Sequence, residues 1–261
     1  MEFGGPQYSS QPADGYCVPR SSWRWETFMS MNKAIRAAAK FLDRREVQMY
    51  RTWFCRIGAM PGADGLFARV VSGTDKETLL DHLTVATYAL IFAGLGFKVC
   101  IEPAGKAGPD LAVSRDGHTA VVEVTRFRPM HPGPPMVDLT RVNPILLEYG
   151  NPSRDVRKAV GKIYEKFSQI GDGEAIIALW NDEGDLEKLE VEMAVDDLRQ
   201  SPFPSGLLFA VYASRWWFPR AGQILCFPFP RSLGPRHVRW QQELEGSFVG
   251  EAIQRALENA V

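Results

Sequence analysis

The sequence predicts a mixed α/β domain whose elements run helix, three strands, helix, strand. Three observations carry this. An Asp116-Gly117 pair sits between two short alternating segments in residues 108–125, the signature of a hairpin closed by a two-residue turn. A helical pattern over about 75–94 and a short strand, Phe97–Ile101, come before it. A capped helical pattern over about 152–170 and an apolar run over about 174–180 come after it.

Residues 1–22, rich in Gly, Ser, Pro and Gln, read as a flexible tail. Residues 24–57 read as helical, with Met31, Ile35, Ala38 and Leu42 along one face and Lys33, Arg36, Lys40 and Arg44 along another. Over 30–57, seven basic residues stand against only Asp43 and Glu46. Pro61-Gly62 and Asp64-Gly65 mark a loop. The core begins near residue 74, where Thr74 or Asp75 caps the next helix. Pro129 to Pro152 is a long connection with six prolines, read either as a lid or nucleic-acid-facing loop or as a plain insertion. Asn151 caps the helix that follows, Pro152 suits its first position and Gly171 lies past its end. Val156, Val160, Ile163, Phe167 and Ile170 form its buried stripe. The acidic stretch 181–198 carries both helical and alternating spacings, and helix is favoured. Strands are expected over 206–213 and 222–227, and a helix over 247–258. The resulting organisation is a tail (1–22), an N-terminal helical region (23–73), an α/β domain (74–230) and a C-terminal segment (231–261).

Composition sets the bounds. The chain has 261 residues, 45% hydrophobic and 23% charged, which is enough for one large domain. A net charge of −1 gives no whole-molecule field toward nucleic acid, so local charge has to be read instead. The four cysteines form no CxxC pair, which argues against a zinc site and a disulfide framework. The N-terminus lacks a signal pattern, and the longest apolar run, 85–97, is too short to cross a bilayer. A cytoplasmic protein is expected.

The hairpin carries the chemistry. A type I′ turn at Asp116-Gly117 makes Arg115 face His118, and strand alternation then sets Asp110 opposite Glu123. Leu111, Val113, Ala120 and Val122 fill the other face, which is uniformly apolar. Facing carboxylates have Cβ atoms roughly 5 Å apart and repel each other. A divalent cation between them turns that cost into a gain.

Pro109-Asp110 followed by Glu123-Val124-Thr125, set in this element order over about 75–180, resembles the PD-(D/E)xK nuclease superfamily. The resemblance implies a restriction-endonuclease-like fold with an αβββαβ core. It further implies hydrolysis of phosphodiester bonds, in DNA more than RNA, with Mg2+ or Mn2+ held by Asp110, Glu123 and the Val124 carbonyl. An acidic residue of the preceding helix, Asp81 or Glu77, would join them. Thr125 stands where the family has its lysine. Lys162 and Lys166 flank the buried stripe of the next helix and are the candidate replacements, whereas Lys158 points away. Lys106 is a loop candidate, and Arg126, on the strand face away from Glu123, is a poorer one. His82 reads as a packed or solvated histidine. Two surfaces suit phosphates: the basic stripe on the N-terminal helix and the stretch from Ser214 to Trp240. The latter carries Arg215, Arg220 and Arg236 among aromatics. The competing readings are an inactive nuclease-fold module that binds nucleic acid, and a subunit that meets a protein partner or a second copy.

Overall fold

The computed structural model describes residues 25–102, 108–127, 161, 166, 173–181, 188–200, 205–214, 222–229 and 234–259. The 1–22 tail, the proline-rich connection, Lys106, Lys158, Lys162, Arg215 and Arg220 lie outside the described residues. So does the helix expected over 152–170, apart from Gly161 and Lys166, both of which are helical.

The N-terminal region holds three helices rather than one. α1 (Trp25–Ala38) and α2 (Arg44–Ile57) are separated because Asp43 starts a new helix. Its side chain accepts from the Arg45 and Glu46 N–H groups, while Glu46 reaches back to the Asp43 N–H, forming a reciprocal capping box. α3 (Ala63–Ser72) occupies the stretch expected to be loop. Its turn-like residues have another purpose. Gly62 has φ +82°, and a Cβ there would meet the Ile101 carbonyl oxygen at 1.7 Å. Gly62 is therefore where the chain passes against a strand of the sheet, and a side chain is excluded on both counts.

α4 (Lys76–Gly94) is capped by Asp75, whose carboxylate accepts from the Thr78 N–H at 2.8 Å. From Leu83 to Phe92 it is buried continuously, because it lies between the sheet and the C-terminal α7 (Val249–Glu258). The sheet comprises β1 (Lys98–Ile101), β2 (Leu111–Arg115), β3 (His118–Phe127), β4 (Ala175–Asn181), β5 (Leu207–Ser214) and β6 (Leu225–Pro228), in that spatial order. β1, β2 and β3 form an antiparallel meander; β3, β4 and β5 are parallel; β6 is antiparallel to β5. α5 (Lys188–Arg199) makes the crossover from β4 to β5, so helix wins over strand in the acidic stretch.

The sheet is covered on both faces. Leu111, Val113, Val122, Ile176 and Val211 pack with the N-terminal helices and α7. Ile177, Leu179, Ala210 and Tyr212 pack with Val191 and Val195 of α5. β4 is buried along its whole length, which explains its unbroken apolar sequence. Buried Tyr88 satisfies its hydroxyl by donating to the Leu179 carbonyl at 2.6 Å.

α6 (Pro235–Glu245) is a helix within the stretch read as a basic-aromatic surface, with Pro235 in its first turn. Trp240 is 1% exposed and packs edge-on against Phe97, so it is a core residue and not a platform for bases. Cys100 and Cys226 are free thiols, as expected. Cys55 departs from that expectation and is disulfide-bonded. Among the described residues no helix is long and apolar enough to cross a membrane.

Candidate active site

The hairpin turn sets the site. Asp116 and Gly117 both have positive φ, 52° and 79°, as a type I′ turn requires. Arg115 faces His118 and Leu111 faces Val122, so the register runs on to place Asp110 opposite Glu123. Asp110 sits just before β2 begins and closes the end of the ladder with its side chain. Its Oδ2 accepts from the Val124 N–H at 3.0 Å. The β1–β2 pairing is prolonged alongside, where the Glu102 N–H donates to the Asp110 carbonyl at 2.8 Å.

Glu123 is 2% exposed. Burial pushes its carboxyl up to about 7, and the negative charge of Asp110 adds to the effect. Lys166 and Arg69 oppose the rise but do not cancel it. The Lys166 Nζ lies 3.0 Å from Glu123 Oε2. The second oxygen, Oε1, is buried and accepts no hydrogen bond among the described residues. One half of a buried carboxylate is thus left open. That is the costly arrangement which a bound cation or an ordered water relieves.

Asp110 has its own cation. Arg69 of α3 reaches Asp110 Oδ1 at 3.2 Å and pairs with Glu102 at the end of β1. The small residue at Gly65 belongs to the same cluster, since a Cβ there would meet Glu102 Oε2 at 2.3 Å. His82 on α4 feels Arg69, Asp81 and Asp110; burial and then Arg69 hold its imidazole below the usual range. The sequence pattern points to neither Arg69 nor Glu102, and it gives His82 only as a packed or solvated histidine. No local signal marks Arg69 or Glu102, because the cluster joins residues separated by 41 positions across three elements.

The other candidates fall as follows. Thr125 is half-buried on the same strand face as Glu123, beside Leu179 in the ladder. Val124 follows Glu123 directly and is tied to Asp110 by its N–H. Asp81 is engaged from the α4 side, where Arg126 Nη1 lies 3.2 Å from Asp81 Oδ1 and 2.9 Å from Glu77 Oε2. Arg126 shares the strand face of Val122 and Val124, opposite to that of Glu123, and is 6% exposed. Arg236 lies against His118 and Arg239 pairs with Glu243.

The donor set suits a hard cation. Carboxylate oxygens of Asp110 and Glu123, with the Val124 carbonyl and water, are the ligand types Mg2+ and Mn2+ take. The open Glu123 Oε1 fits this directly. Among the described residues no three His, Cys, Asp or Glu side chains stand together as a metal-binding group. Compared with protein-family models, curated proteins and solved structures, the chain matches none.

Proposed function

We propose that this protein is a metal-dependent nuclease of restriction-endonuclease-like fold, hydrolysing phosphodiester bonds in DNA. One observation carries the reading. Lys166, from the helix after the hairpin, contacts Glu123 at 3.0 Å on the strand face where Thr125 replaces the family's lysine. The meander followed by a parallel fourth strand supports the same assignment.

In this reading Asp110 and Glu123 hold Mg2+ or Mn2+. A bound divalent ion lowers the pKa of water and neutralises charge on the phosphoryl group. Lys166 donates an N–H to Glu123 Oε2, which sets its ammonium beside the carboxylate that would hold the ion. It also draws the Glu123 proton off, since its charge lowers the carboxyl's affinity for that proton. Arg69 fixes Asp110, leaving its Oδ2 on the Val124 N–H.

The test is conversion of supercoiled plasmid to nicked or linear form by the purified chain. Cleavage is expected with Mg2+ or Mn2+ and none with EDTA. A preparation inactive with both metals on plasmid, single-stranded DNA and RNA would remove the reading. A second reading has its own support: each carboxylate already has a cationic partner, Lys166 on Glu123 and Arg69 on Asp110. Such pairing suits an inactive module that binds nucleic acid without cutting it.

A further inference from the structure

We infer that the exposed ridge formed by Trp25, Met29, Lys33 and Arg36 of α1, continued by Lys40 in the turn after it and by Arg44 at the start of α2, docks the phosphate backbone of duplex DNA. The choice of polymer rests on the nuclease reading; the surface itself does not. Trp25, Met29, Lys33 and Arg36 are spaced by three or four and so share one face of α1, while Lys40 and Arg44 follow in sequence beyond its end. Trp25 is 68% and Met29 40% exposed, and the four basic residues are exposed as well. The opposite face of α1, with Met31, Ala34, Ile35 and Ala38, is buried in the core.

Three features make this more than a solvated helix face. First, the cations are available: none of Lys33, Arg36, Lys40 or Arg44 forms an ion pair among the described residues. Of the acids nearest in sequence, Asp43 and Glu46 are committed to the α2 cap, and Glu26 stands in the first turn of α1, seven residues before Lys33. Second, the spacing fits a polyanion. Lys33 and Arg36 lie about 4.5 Å apart along α1 at roughly 1.5 Å per residue, and Lys40 follows beyond the helix end, so three cations in succession meet a strand that carries a phosphate about every 3.4 Å of rise. An exposed indole at one end suits a sugar or base edge. Third, the ridge belongs to the same packed unit as the carboxylates. The Thr27 hydroxyl donates to Asp64 Oδ2 at 3.1 Å, joining α1 to α3, and α3 carries Arg69 to Asp110.

A lipid surface fits less well, because an interfacial helix needs its apolar face free and that of α1 is already used. The α6 arginines are weaker candidates, since Arg239 pairs with Glu243 and Arg236 lies against His118.

The experiment is fluorescence anisotropy with a labelled DNA duplex, in EDTA, in a Glu123→Gln background, across a range of salt concentrations. The Lys33→Gln/Arg36→Gln/Lys40→Gln protein is compared with its parent, with circular dichroism confirming the fold of each. The triple variant is expected to bind at least about tenfold more weakly. Its log–log salt slope should be shallower by about 2 to 3, from roughly 0.9 for each phosphate no longer neutralised. Each single substitution should remove about one unit of slope. Unchanged affinity and slope in a folded triple variant would overturn the inference. Binding to phosphatidylserine vesicles in place of duplex would overturn it too. Because no cleavage is measured, the two readings fail separately. Duplex held by the ridge but never cut by the wild type would keep the docking surface and remove the nuclease.

Discussion

Glu123→Gln is expected to abolish metal-dependent cleavage while making the protein more stable at neutral pH. Loss of a carboxylate ligand should cost at least about 10²- to 10³-fold in rate, the effect of removing one electrostatic group from a transition state. The stability change has the opposite sign for a physical reason. Burial holds the Glu123 carboxyl near 7 in the folded chain, against 4.5 for an ordinary glutamate. Between those values the native state binds the extra proton, so stability falls as pH rises through the window. Below 4.5 both states are protonated and the penalty is absent; above about 7 it is complete. It is on the order of 3 kcal/mol, from about 1.4 kcal/mol per pH unit. Glutamine keeps the shape and carries no charge. Urea unfolding of both proteins from pH 4 to 8 should therefore show the gap widening in the variant's favour as pH rises. A gap independent of pH would mean that Glu123 is not a strained buried carboxyl.

Lys166→Met should reduce cleavage by about 10²- to 10³-fold. Methionine keeps an unbranched apolar stem and removes the charge, so packing on the helix edge is largely retained. The Lys166 charge favours ionised Glu123, so its removal raises that carboxyl further. Residual activity should then climb with pH over a higher range than in the wild type. A purely structural lysine would lower activity without moving the profile. Lys162→Met is the natural comparison, and Thr125→Lys, which restores the family pattern, is expected to rescue part of the activity that Lys166→Met removes. Full activity in Lys166→Met would overturn the role given to Lys166 and leave Lys162, Lys106 or Thr125 to be considered, whereas activity seen only after Thr125→Lys would favour the inactive-module reading.

Much of the site is legible in the sequence because its key step is local. Asp-Gly at a hairpin tip fixes a two-residue turn, and the side-chain period of two then propagates to Asp110 and Glu123 without any tertiary information. The helical spacing that marks Lys166 as a candidate is local in the same way. What the sequence hides is assembled over distance or carried by ambiguous residues. Gly62, Asp64 and Gly65 have turn composition, yet Gly62 opens α3, and Gly62 and Gly65 permit its close approach to Ile101 and Glu102. With α3 read as loop, Arg69 has no helix from which to reach Asp110. The break between α1 and α2 does have a signal, the Asp43-x-x-Glu46 capping box, which the continuous apolar periodicity masks. α6 has one as well in Gly234-Pro235, obscured by the density of arginine and aromatic residues around it.

The most direct measurement of the central claim is isothermal titration of Mn2+ into the wild type, Asp110→Ala and Glu123→Gln at pH 8, where Glu123 is ionised in the folded chain. Asp110 and Glu123, acting together, predict one saturable site in the wild type and none in either variant. Equal Mn2+ binding by all three proteins would contradict it.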